Sequence, residues 1–117
     1  MRVIKIDVER QEVYEIDIVN SLHSFYLTIG NGCQCIKTAF VLPSHKKNLY
    51  GDVIYVDEEC FIRVGDVKGF FSVADNGWFA NNGIIVGSKM TEDGLISCDC
   101  TYDLSRIKDL ITFEKKI

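Results

Sequence analysis

The stretch NGIIVGSKMTEDGLISCDC, Asn82 to Cys100, decides how this chain is read. Ile84-Ile85-Val86 is a continuous apolar run between Gly83 and Gly87, the mark of a short strand buried on both faces. Glu92-Asp93-Gly94 follows, and Asp-Gly between two apolar segments is a strong hairpin signal. Leu95 to Cys100 is the expected partner strand, so this part of the chain is antiparallel β.

Working outward, most of the chain after residue 33 carries β character. Cys35 to Leu42 reads as a strand closed by Pro43, and Ser44-His45-Lys46-Lys47-Asn48 as a polar loop. Val53 to Val56 is a further strand, turned by Asp57-Glu58-Glu59 into another around Phe61 to Val64. Gly69 to Val73 follows and ends in Ala74-Asp75-Asn76-Gly77, a turn-rich run. Toward the N-terminus, residues 1–7 and 12–18 form a hairpin in which Tyr14, Ile16 and Ile18 alternate with Glu15 and Asp17. Leu22, Phe25, Tyr26 and Ile29 then fall at i, i+3, i+4 and i+7, one face of a helix. Asn20 or Ser21 caps that helix and Gly30 ends it. At the other end, Asp103 caps a short amphipathic helix with Leu104, Ile107 and Leu110 or Ile111 inward. The expectation is an α+β domain over residues 1–117, mainly antiparallel sheet, with an N-terminal amphipathic helix and a short C-terminal helix on one face or end of the sheet.

Composition sets bounds on function. The 117 residues are 47% hydrophobic and 26% charged, with a formal net charge of -4. That balance suits a globular core and lacks the basic excess of a general nucleic-acid binder. No apolar run reaches the length of a membrane-spanning helix, and the N-terminus returns to charge too early for a signal peptide. A cytoplasmic location is expected, with neither membrane nor nucleic-acid polymer as partner. Five cysteines without a secretory signal point to reduced thiols.

Several constellations bear on chemistry. Cys33-Gln34-Cys35 and Cys98-Asp99-Cys100 are C-x-C pairs whose side chains share a strand face. They could form a thiolate metal site or serve as small apolar residues, and the packing role is favoured because the usual C-x2-C zinc spacing is missing. His23 and His45 are poorly placed for a Cys-His nucleophile. Asp52, Asp57, Glu58 and Glu59 cluster without EF-hand spacing and read as a solvated turn. Walker, G-x-S-x-G and H-E-x-x-H patterns do not occur. No catalytic residue, metal or cofactor is therefore expected. Trp78-Phe79 stands apart, set in a turn between Asn76-Gly77 and Asn81-Asn82-Gly83. With Arg106, an aromatic platform, amides and a guanidinium are the parts that hold a base and its phosphate. The alternative is a packed aromatic corner beside a solvated arginine.

Asn82 to Ser88, then Glu92-Asp93-Gly94 and a short terminal helix, resembles small proteins of phages and mobile elements. Chain length, the N-terminal hairpin and helix, and the aromatic-plus-arginine pattern are similar to the phage anti-Thoeris sponge proteins. The resemblance implies a non-enzymatic, phage-encoded protein that sequesters a cyclic ADP-ribose signal in the host bacterial cytosol. It also implies a homo-oligomer built from dimers. Phe79, beside Trp78, would match the stacking aromatic and Arg106 the phosphate-binding arginine, with Asn82 or Lys89 in place of the family's asparagine. The competing expectation is a small protein-interaction module with no small-molecule ligand.

Overall fold

The computed structural model describes residues 1–30, 32–44, 49–59 and 67–115. Its elements run β1 (Arg2–Asp7), β2 (Glu12–Asp17), α1 (Leu22–Ile29), β3 (Ile36–Pro43), β4 (Leu49–Asp57), β5 (Gly69–Val73), β6 (Trp78–Ala80), β7 (Gly83–Thr91), β8 (Gly94–Cys98), α2 (Leu104–Leu110) and β9 (Ile111–Lys115). The fold is α+β and mainly antiparallel sheet. The larger sheet has the order β2-β1-β7-β4-β3, with β8 also on β7; the smaller has the order β6-β5-β9.

Strand β7 is the centre of the larger sheet. β4 lies along one of its edges from Val56↔Gly83 to Leu49↔Lys89. The other edge is shared end to end by β1, through Ile4↔Ile85, and β8, through Ser88↔Ser97. Pairing on both edges extends β7 well beyond the apolar triplet 84–86, and burial continues to Ser88.

Period-2 alternation divides the sheet into two faces. One carries Val3, Ile84 and Val86, which pack with Phe25, Ile29 and Cys33 beneath α1. The other carries Ile4, Ile6, Ile54, Val56 and Ile85, which pack with Phe71 and Val73 of the smaller sheet and Ile107 of α2. The two helices therefore cover opposite faces, where the sequence suggested a common one. Ser21 is the cap of α1, its Oγ accepting from the Ser24 amide at 3.1 Å. Gly30, at φ 77, ends the helix and returns its amide to the Tyr26 carbonyl. Leu22 is exposed although its spacing puts it on the apolar stripe, because only Phe25 and Ile29 reach the sheet deeply enough to be buried.

Other expectations change in the tertiary structure. Trp78-Phe79 belongs to strand β6, since a turn with Ala74 and Asp75 at positive φ closes first and returns residues 78–80 onto β5. Ile111 opens β9 instead of closing α2, because pairing from Val73↔Ile111 to Gly69↔Lys115 draws the chain out. Asp52 and Asp57 are buried, so the carboxylate cluster is not a solvated turn; Glu58 and Glu59 alone are exposed. The strand expected around Phe61 to Val64 lies outside the described residues. Among the described residues no helix is long and apolar enough to cross a membrane.

One crossing ties the two layers together. After β8 the chain bends over β7 at Gly87, where a Cβ would lie 2.0 Å from the Asp99 carbonyl oxygen. Only a residue without a side chain permits that approach. Asp52, opposite Gly87 on β4, is fully buried and receives the crossing segment. Its carboxylate accepts from the amides of Thr101 and Tyr102, both at 2.9 Å, from the Thr101 hydroxyl at 3.0 Å and from the Cys100 thiol at 3.0 Å. Arg2 holds the same segment from outside, donating to the carbonyls of Cys100 at 2.6 Å and Tyr102 at 3.1 Å while pairing with Glu15. A buried carboxylate is tolerated only when donors replace its water, and here four groups do so. Asp52→Ala orphans two backbone amides and should cost about 2–4 kcal/mol. Gly87→Ala forces the crossing apart and should cost about as much. Urea denaturation of both variants should show lower midpoints at nearly unchanged slope, and wild-type midpoints would refute the clamp.

Candidate functional site

The five residues proposed for ligand contact are distributed over the fold. Trp78 projects outward from β6, 43% exposed, across from Ser72. Phe79 is half-buried opposite Phe71, its ring centroid 5.6 Å away, and packs onto the inter-sheet core. Asn82 is buried with its amide already used: Oδ1 accepts from Val8 at 2.9 Å and Nδ2 donates to the Ile29 carbonyl at 3.1 Å. That side chain fastens the end of β1 to the end of α1. Lys89 is exposed seven residues further along β7, roughly 23 Å away at about 3.3 Å per residue. Arg106 is exposed on α2, its guanidinium carbon 5.3 Å from the centre of the Tyr102 ring. Sequence proximity to glycine-rich turns made Asn82 attractive as a ligand contact, but a buried amide in a turn more often serves the backbone.

The cysteines are also separated. Cys33 is buried beneath α1 with its thiol toward the Cys35 carbonyl at 3.4 Å, and Cys35 is exposed. Cys100 belongs to the core on the opposite sheet face, while Cys98 is half-buried. Among the described residues no group of three or more His, Cys, Asp or Glu side chains is arranged to hold a metal ion. His23 is exposed on α1, and His45 and Cys60 lie outside the described residues.

Among the described residues two concavities stand out, and neither is lined by the five proposed contacts. The larger, about 530 Å³, opens between β2, α2 and β9. Val13 and Ile111 form its buried floor, Phe113 adds an aromatic wall, and Gln11, Glu12, Tyr14 and Lys108 supply the polar rim. Asp7 shapes this end of the hairpin, capping the turn through the amides of Glu9 and Arg10, both at 3.1 Å. Burial, with Asp7 nearby, pushes the Tyr14 hydroxyl up, so the phenol remains a donor at neutral pH. The smaller concavity, about 210 Å³, lies on the sheet face beside α1 and is bordered by β3, β4, β7 and β8. The sequence signal for the larger cleft was faint: Gln11 fell between the two hairpin strands, Glu12 at the start of the second, and Phe113 beyond the last element recognised.

Comparison with known proteins adds no relative: no family model, curated protein or solved structure matches the chain.

The thiols make the electrostatics testable. Burial, reinforced by the Asp52 carboxylate, pushes the Cys100 thiol up to about 12. An unfolded cysteine ionises near 8.5, so above that pH the unfolded chain loses a proton that the native chain keeps. Native stability should therefore fall with rising pH between about 8.5 and 12, by up to about 1.4 kcal/mol per unit from this group. Cys100→Ser keeps a donor to Asp52 without ionising, so its stability should decline less steeply over that window. Equal slopes for the two proteins in denaturant titrations at pH 7.5 to 10 would contradict the assignment. At neutral pH, peptide mapping after brief alkylation should find Cys35 modified well before Cys33 or Cys100.

Proposed function

We propose that this chain is a non-enzymatic binding protein that sequesters a small anionic ligand carrying a planar ring, of the cyclic nucleotide class, in the cleft between β2, α2 and β9. The observation that carries the reading is the cleft's construction: an apolar floor and aromatic wall, with one ammonium at the rim. Its volume suits a drug-sized or nucleotide-sized molecule, for which sites span about 300–1,000 Å³. Phe113 offers a face to a ring, Lys108 a charge to a phosphate, and Glu12 an acceptor to an exocyclic amine. The resemblance to cyclic ADP-ribose sponges supports the ligand class. The cleft replaces Trp78, Phe79, Asn82, Lys89 and Arg106 as the location, because Phe79 and Asn82 are already engaged within the fold.

Sequestration requires affinity and slow release, without a general acid or base. Titration calorimetry with cyclic ADP-ribose and a panel of cyclic dinucleotides is the direct test, followed by heating and chromatography of the released ligand. Lys108 is exposed, so Lys108→Ala should fold normally and weaken binding about ten- to a hundredfold, the range of a lost charge-assisted contact at about 1.5–3 kcal/mol. Intact recovered ligand fits sequestration, whereas altered product indicates an enzyme. Binding lost in Arg106→Ala but kept in Lys108→Ala would move the site away from the cleft.

The competing reading is a protein-interaction module. Val19, Leu22 and Leu27, at and just before α1, are 72%, 57% and 68% exposed and offer apolar side chains to a partner. Binding of no nucleotide, together with self-association abolished by Leu27→Glu, would favour it.

A further inference from the structure

The smaller concavity differs in chemistry from the cleft. Five hydroxyls border it, from Thr38, Tyr50, Tyr55, Ser88 and Ser97, and no charged side chain lines it. Register places Tyr50, Ser88 and Ser97 toward one end of the groove and Thr38 and Tyr55 toward the other. Val41↔Val53 and Thr38↔Tyr55 link β3 to β4, Gly51↔Ser88 links β4 to β7, and Ser88↔Ser97 links β7 to β8. Alternation then brings the hydroxyls to the face that α1 leaves uncovered, above a floor of Val41 and Val53. Tyr50 stands at the irregularity between Leu49 and Gly51 and is 50% exposed, which presents its ring as a wall.

Ser88 is the telling residue. It is 7% exposed and borders the groove, so its hydroxyl is held within the sheet at the groove's edge. Hydroxyls donate and accept at one atom, so a group of them without fixed charge complements a neutral molecule that does the same. Burial raises the Tyr55 hydroxyl, keeping it in the donor form. A volume of about 210 Å³ limits the occupant to roughly one ring.

We infer that this groove is a binding site for a single neutral sugar ring, which sets its C–H face on Tyr50 and its hydroxyls against Ser88 and Ser97. The ring could belong to a free saccharide or to the ribose of a nucleoside; both present the same chemistry to the groove. This site is independent of the anion-binding cleft, since the two share no lining residue.

Saturation-transfer NMR and titration of the full chain with glucose, galactose, ribose, methyl glycosides, adenosine and uridine test the assignment. Glucose 6-phosphate serves as the anionic comparison. Binding in the millimolar range is expected, at least as strong for neutral rings as for the phosphate. Free sugars and methyl glycosides binding as well as the nucleosides identifies a saccharide source; preference for adenosine and uridine identifies ribose. Tyr50→Ala, at an exposed position, and Ser88→Ala, a loss of one oxygen, should each weaken binding at least fivefold at an unchanged melting temperature. Lys108→Ala should leave it unaltered, which separates failure here from failure of the cleft. No binding by folded protein at tens of millimolar overturns the inference. So does equal binding by the Tyr50 and Ser88 variants, or a dimer that buries Tyr50 and excludes every sugar.

Discussion

The buried Asp52 carboxylate is the constraint from which the arrangement of layers follows. A charge in that position must find donors, and those available come from Cys100, Thr101 and Tyr102. Satisfying the charge therefore draws the chain after β8 across the sheet, over the bare surface of Gly87. That crossing delivers α2 and then β9 to the face carrying Ile4, Ile54 and Ile85. With β9 paired to β5 the smaller sheet is complete, and Phe71 can lie against Gly83, where an added Cβ would meet its ring at 2.9 Å. One polar requirement and two glycines thus set the path of the whole C-terminal third.

The same division of faces locates both concavities. On one face α2 packs against β2, and the recess that these two elements leave with β9 is the larger cleft. On the other, α1 is a helix of 8 residues and cannot cover a sheet this broad, so the hydroxyl-lined groove stays open beside it. Neither concavity arises from a dedicated loop. Each is a region that the covering elements are too short to fill, and each takes its chemistry from whichever strand residues alternate toward it.

Amides and carboxylates that resemble functional groups in a linear sequence are spent on the scaffold here. Asn82 bridges β1 and α1, Asn81 receives the Lys68 amide at 2.7 Å, and Asp7 caps the first hairpin. Each lies near a turn, where backbone groups lack ladder partners and a short polar side chain supplies one. This is why glycine-rich, asparagine-rich turns drew attention as ligand loops and then proved to be joints. The distinction depends on what lies across the fold from each amide, which spacing along the chain does not encode.

Local patterning determined much of this protein from the sequence alone. Alternation in residues 12–17, the stripe ending at Ile29, the Asp93-Gly94 turn and the apolar triplet 84–86 each act within a few residues, so their elements could be read directly. The α+β class and the antiparallel character follow from those signals. Tertiary structure alone decided the rest. Three residues, Trp78 to Ala80, carry too little local preference to declare a strand, and Ile111 to Lys115 continues a helical stripe until β5 offers it hydrogen bonds. Likewise, Asp52 reads as one more surface acid until residues 100–102, about fifty positions later, close over it. The candidate sites are of this second kind: Lys108 and Tyr14 line one cleft, and Ser88 and Thr38 border one groove, only because separate strands and helices are brought together by pairing whose partners are distant in sequence.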